Sequence, residues 1–124
     1  MIKRVLLIDD DTDEHDVFIE ALKLYNKNIV CIAATGWVES SPLLHSFSPD
    51  IIFLDYNMPI INGTETLKLI RQIKNLKDAK VYMYSASDNP KYINEALKLE
   101  AIRWIVKPNS LEGYTRIFQQ VFAA

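Results

Sequence analysis

The strongest constraint on how this chain folds is an alternation. Five short apolar runs are separated by longer segments whose apolar residues recur at helical spacing. The runs are Arg4–Ile8, Ile29–Ala34, Ile51–Leu54, Lys80–Tyr84 and Ile102–Val106. Several are apolar on successive positions, the pattern of strands covered on both faces. Phe18, Leu22 and Tyr25, with Ala21 beside them, predict an amphipathic helix over Asp13–Tyr25. Leu67, Ile70 and Ile73 predict another after Gly63, and Ile93, Ala96 and Leu97 a third over Pro90–Leu99. Leu111, Tyr114, Phe118 and Val121 with Phe122 predict the last. Val38–His45, interrupted by Ser40-Ser41-Pro42, predicts a short or irregular helix. Strict strand–helix alternation implies a parallel sheet with right-handed crossovers and helices on both faces. The expected class is α/β, a three-layer sandwich of five strands and five helices.

Length and charge narrow the function classes. The 124 residues are read as one domain, 1–124, large enough for an ordinary core. A single cysteine, Cys31, excludes an internal disulfide framework and suits a reducing compartment. A net charge of −2, without a run of lysine or arginine, argues against direct nucleic-acid binding. No apolar stretch reaches the ~18 residues a membrane span needs. Met1-Ile2-Lys3-Arg4 offers no cleavable signal. The expectation is a cytoplasmic protein without membrane contact.

In open parallel sheets ligands bind beyond the carboxyl ends of the strands. Those positions hold Asp9-Asp10 after the first strand, Asp55 after the third, Ser85-Ala86 after the fourth and Lys107-Pro108 after the fifth. Six of the eight residues from Asp9 to Asp16 are acidic. Helix capping explains part of that run. Asp11 or Thr12 can cap the first helix, Asp11 and Glu14 have capping-box spacing, Asp13 and Glu14 favour its positive end, and Asp16 fits a solvated face. Asp9 and Asp10 precede the cap, where this explanation fails. Asp55 ends a run that belongs in a central, buried strand. Carboxylates held together repel one another unless a cation or a shared proton intervenes. Mg²⁺ suits such oxygen donors. With Lys107 and Ser85 on the same rim, the set can hold a phosphoryl group, with Asp55 as the attacking carboxylate.

Leu6-Leu7-Ile8-Asp9-Asp10-Asp11, Leu54-Asp55-Tyr56-Asn57-Met58-Pro59 with Asn62-Gly63, Ser85-Ala86 and Val106-Lys107-Pro108 resemble the receiver domain of two-component response regulators. The resemblance covers the whole chain, with all four motifs in order. It implies a flavodoxin-like fold with sheet order 2-1-3-4-5. It implies that Asp55 is the phosphoacceptor, served by a sensor histidine kinase or a histidine phosphotransfer protein. By the same resemblance, Asp10 and Asp9 bind Mg²⁺ together with Asp55, and the backbone carbonyl of Asn57 completes the metal site. Ser85 and Lys107 contact the phosphoryl group, while Ala86 and Asn57 border it. Such a domain is a signalling module, not an enzyme, although it assists its own phosphorylation and dephosphorylation. It acts on a downstream protein that the sequence does not name. Lys91, Tyr92, Glu95, Lys98, Arg103, Trp104 and Tyr114 are candidates for that surface.

Three positions depart from the family pattern. Trp104 stands where a switch tyrosine or phenylalanine is usual, so it is the candidate switch beside Ser85. Glu100-Ala101 replaces the common Gly-Ala, which removes the easiest left-handed residue at a helix end. The Trp37–Pro42 segment lacks the usual second-helix pattern. The resemblance also points to a cis bond between Lys107 and Pro108. Two rivals share part of the chemistry. One is a receiver-fold protein-binding module that works without phosphorylation. The other is a Mg²⁺-dependent aspartyl phosphohydrolase, which wants a second acid where Asn57 stands. A flavin-binding flavodoxin fits less, since the acidic run would repel its phosphate.

Overall fold

The computed structural model describes residues 3–123; Met1, Ile2 and Ala124, at the ends of the expected domain 1–124, lie outside them. Strands β1 (Arg4–Ile8), β2 (Val30–Ala34), β3 (Ile51–Leu54), β4 (Lys80–Ser85) and β5 (Arg103–Val106) alternate with helices α1 (Thr12–Tyr25), α2 (Trp37–Ser46), α3 (Gly63–Arg71), α4 (Pro90–Lys98) and α5 (Leu111–Phe122). A 3-10 turn, Lys74–Leu76, precedes β4. All pairings are parallel, in the order β2-β1-β3-β4-β5. This is the three-layer α/β sandwich expected from the alternation, in the flavodoxin-like strand order that the family resemblance implies.

Successive strand residues serve opposite layers, which is why the runs are apolar throughout. Val5 and Leu7 of β1, Phe53 of β3 and Tyr82 and Tyr84 of β4 pack under α1 and α5 with Phe18, Leu22, Tyr114 and Phe118. Leu6, Ile8, Ile52, Leu54, Val81 and Met83 face the other way, against Leu44 of α2, Leu67 and Ile70 of α3 and Ala96 of α4. Phe18 sits edge-on to Phe53, Tyr84 and Phe118. Such edge-to-face pairs add about 0.5–1.5 kcal/mol each beyond the area they bury.

Several local expectations need correction. The second helix is a ten-residue α2, longer and more regular than Val38–His45, although Pro42 lies inside it. The Ser40 hydroxyl, buried under the helix, donates to Trp37 O, and Ser46 donates to Pro42 O, so side chains supply bonds near the proline. Ser85 is the last residue of β4 and not the first of the following loop. No capping box forms on α1: Asp11 accepts from Asp13 N as the cap, but Glu14 turns into the fold instead. Among the described residues there is no cis peptide bond, so Lys107–Pro108 is trans. Glu100 takes the left-handed conformation at φ 67 in spite of its side chain, and the loop keeps its tight form. Arg71 stabilises that turn from α3, donating to the carbonyls of Leu99 and Glu100 as well as Leu76, Lys77 and Ala79. Among the described residues no helix is long and apolar enough to cross a membrane.

Candidate functional site

The sheet carries its ladders one bond past the strand ends, and those bonds place the polar residues. Asp9 N donates to Ala34 O, Asp55 N to Ile8 O and Lys107 N to Ser85 O, each at 2.9 Å. Asp9, Asp55 and Lys107 are therefore held as extensions of β1, β3 and β5 on one rim. One carboxylate oxygen from each of Asp9, Asp10 and Asp55 lies within 4.8 Å of the other two. Asp10 is exposed, while Asp9 is fully buried and Asp55 is 4% exposed. Lys107 Nζ lies 2.7 Å from Asp9 Oδ2 and 3.6 Å from Asp55 Oδ2. The other Asp9 oxygen accepts from Asp11 N at 2.9 Å.

The electrostatics follow from this crowding. Burial, then the Asp9 charge, pushes the Asp55 carboxyl up to about 6, against the smaller opposing pull of Lys107 and the Asn57 backbone N–H. Lys107 moves the other way from what burial alone would do: its bond to Asp9 and the charges of Asp55 and Glu14 hold its ammonium above the usual lysine range. Three oxygen donors converging around a partly compensated negative charge suit a hard divalent cation.

The other expected residues fall around this centre. Ser85 is fully buried, paired with Val106, and its Oγ accepts from Ser87 N at 3.3 Å. Ala86 and Asn57 are exposed at the mouth. Trp104 is not on the rim. It pairs with Met83 higher up the sheet, and its indole N–H donates to Ser87 O at 2.7 Å, across the β4–α4 loop. Tyr56, next to Asp55, stacks on Tyr92 of α4 at 4.2 Å between centroids and leans on Trp104 at 6.0 Å. Tyr92 is thus half-buried in an aromatic stack, and Tyr114 is only 5% exposed, so Tyr114 is withdrawn from the candidate partner surface.

Glu14 does work that sequence reasoning gave to a helix end, and Gly63, read there only as the start of the third helix and part of a motif, has a packing role. A Cβ at Gly63 would lie 2.4 Å from Asp55 O and 2.6 Å from Tyr56 Cα, so only glycine lets α3 start against the strand end that carries Asp55. Gly63 N also donates to Tyr56 O at 2.8 Å. Glu14 accepts hydrogen bonds from the hydroxyls of Tyr84 and Tyr114. Burial first, and the Glu14 hydrogen bond after it, hold both phenols in the protonated form: Tyr114 at about 12 and Tyr84 further above the usual range. The signal available in sequence was weak. A buried tyrosine requires an acceptor for its hydroxyl, but nothing local says that one carboxylate serves two.

Comparison with known proteins shows the family and the fold. Residues 5–118 match the family model of the response regulator receiver domain. The chain is 28% identical over 110 residues to the sensory transduction protein LytT of Oceanobacillus iheyensis, covering 89% of this chain and 44% of that protein. It is 32% identical over 109 residues to the probable C4-dicarboxylate response regulator DctR of Bacillus subtilis, covering 88% of this chain and 47% of that protein. The chain thus spans less than half the length of these relatives. Among solved structures, the chemotaxis response regulator CheY4 of Vibrio cholerae matches with a TM-score of 0.85 at 24% identity, over 98% of this chain and 100% of that one. The phosphorylated cyanobacterial phytochrome response regulator RcpA matches with a TM-score of 0.86 at 24% identity, over 100% of this chain and 97% of that one. With its five-stranded order and its acidic rim, this chain belongs to the response regulator receiver domain family.

Proposed function

We propose that the chain accepts a phosphoryl group on Asp55 from a phosphohistidine, on a sensor histidine kinase or a histidine phosphotransfer protein, and that this changes the surface it offers to a downstream protein. The observation that carries the reading is the setting of Asp55. It ends a central strand, is nearly buried, and lies 3.6 Å from a lysine beside two further acids. In the proposed step an Asp55 oxygen attacks phosphorus in line. The new P–O bond forms as the P–N bond breaks, and the imidazole leaves and takes up a proton. Lys107 neutralises phosphoryl oxygens, and Ser85 supplies a hydroxyl from the neighbouring strand. Asn57 and Ala86 border the open side. Asp9, Asp10, Asp55 and the Asn57 carbonyl would hold Mg²⁺, whose donor preference their oxygens fit. When bound, the ion offsets negative charge where carboxylate and phosphoryl group meet. Residues 1–124 act in this reading as one receiver unit working in the cytoplasm, a signalling module and not a turnover enzyme.

The test is mass spectrometry after incubation with acetyl phosphate. One phosphoryl group should appear on the wild type, should need Mg²⁺, and should be lost in Asp55→Asn. A wild type that binds Mg²⁺ yet neither gains an adduct nor binds beryllofluoride would overturn the reading and leave a protein-binding module.

A further inference from the structure

One acid of the first helix stands outside the set just described and yet reaches it. Glu14 Oε1 accepts from both phenols, Tyr84 of β4 and Tyr114 of α5, the latter at 2.7 Å. Tyr84 is fully buried and directly precedes Ser85. Lys107 Nζ lies over the Tyr84 ring, 5.7 Å from its centroid, inside the ~6 Å reach of a cation–π contact. A phenol that donates to a carboxylate gains electron density, so its ring face attracts a cation more strongly. The chain of contacts is therefore carboxylate to phenol to ring face to ammonium.

We infer that Glu14 is a positioning residue for Lys107, acting through the ring of Tyr84. This rests on the receiver reading above. Lys107 is needed by two groups: it sits at 2.7 Å from Asp9 and at 3.6 Å from Asp55. Direct contact alone leaves it on Asp9. The Tyr84 ring, with the Glu14 charge behind it, gives the ammonium a support that does not depend on Asp9. Glu14 also joins α1, β4 and α5, so a purely structural role must be separated from this one. Tyr114 makes that separation possible. It donates to the same Glu14 oxygen, but Lys107 does not lie over its ring.

The experiment measures beryllofluoride affinity at saturating Mg²⁺, Mg²⁺ affinity and melting temperature for the wild type, Glu14→Gln, Tyr84→Phe and Tyr114→Phe. Glu14→Gln keeps an acceptor and removes the charge; Tyr84→Phe keeps the ring and removes its link to Glu14. Both should weaken beryllofluoride binding measurably, by up to roughly fivefold, the worth of a whole cation–π contact that each variant keeps in part, with Mg²⁺ affinity unchanged. Tyr114→Phe should leave beryllofluoride affinity at the wild-type value. The inference is overturned if Glu14→Gln and Tyr84→Phe bind beryllofluoride as the wild type does. It is also overturned if Tyr114→Phe loses as much as Tyr84→Phe, or if Mg²⁺ affinity falls in parallel, since either marks a structural cross-link alone. Should Glu14→Gln fail to fold, Tyr84→Phe against Tyr114→Phe decides. A wild type that binds Mg²⁺ but no beryllofluoride would instead sink the receiver reading, and this inference with it.

Discussion

Asp55 carries its cost in the absence of a cation. Its folded carboxyl titrates at about 6, against about 3.9 in an unfolded chain. Between those values the unfolded chain releases its proton while the folded one retains it, so stability falls as pH rises through the window. Integrated, the loss approaches roughly 2–3 kcal/mol by about pH 7. Denaturant unfolding of the wild type and Asp55→Asn in chelator should show a gap that widens in favour of the variant from about pH 4 to about pH 7. On the proposed reading saturating Mg²⁺ should narrow it, because the ion would bind only the folded carboxylates. A gap that does not vary with pH would refute this account. Three further residues hold left-handed backbone strain, Ser48 at φ 50 among them. Ile60 sits at φ 71 and Glu100 at φ 67, in the region that L side chains enter at a cost of about 1–2 kcal/mol. Ile60 is 99% exposed and β-branched, so Ile60→Gly loses no packing and should stabilise the fold by about 1 kcal/mol even after the extra chain entropy of glycine. Glu100→Gly should gain less, and a drop in melting temperature for either variant would contradict the strain argument.

Elements hold the site in register through contacts that side-chain substitutions can reach. The N-terminus of α3 is pressed against the backbone of Asp55 and Tyr56 at Gly63, while the Asn62–Glu65 capping box fixes its direction. Gly63→Ala would gain up to ~1 kcal/mol of helix propensity. It would also force backbone atoms apart at 2.4 and 2.6 Å, and overpacking of that kind costs about 1–3 kcal/mol. The steric effect wins, so the variant should melt lower and take up phosphoryl from acetyl phosphate more slowly; a variant that matches the wild type in both would show that the close approach is harmless. This element also marks the limit of what the sequence discloses. The parallel sheet, both covered faces and the rim of Asp9, Asp10, Asp55 and Lys107 were legible, because runs such as Ile51–Leu54 point to central strands and polar residues after them must lie at the carboxyl edge; the strand order came only with the family resemblance. Glu14 was misread as a cap because its partners lie 70 and 100 residues away. The regular α2 was misread because the bonds near Pro42 come from Ser40 and Ser46. Tight turn geometry at Glu100 was hidden for the same reason, since it is stabilised by Arg71 from another helix.

Across the whole molecule, two packed layers leave the rim by different routes. On the α1–α5 face the route runs from Lys107 through Tyr84 to Glu14 and Tyr114. On the other face it runs from Asp55 through its neighbour Tyr56 to Tyr92 of α4 and Trp104 of β5. Trp104 is half-buried there with its indole N–H bound to Ser87 O, two residues beyond Ser85. That bond ties β5 to the loop that any movement of Ser85 toward a phosphoryl group would pull. Movement of the loop must therefore either carry the indole along or break a 2.7 Å hydrogen bond, whose partners in a half-buried place have little else to bond to. In both cases the surroundings of Trp104 change, and α4 follows through Tyr92. Trp37 would mask the signal, since it lines a groove together with Asp10, so the measurement uses a Trp37→Phe background. Addition of beryllofluoride with Mg²⁺ should then shift the Trp104 emission, and amide resonances of α4 and β5 should move with it. Asp55→Asn should abolish both responses. If Trp104 emission and the α4 amides stay fixed while beryllofluoride binds, the aromatic route is static and any output must pass through the α1–α5 face.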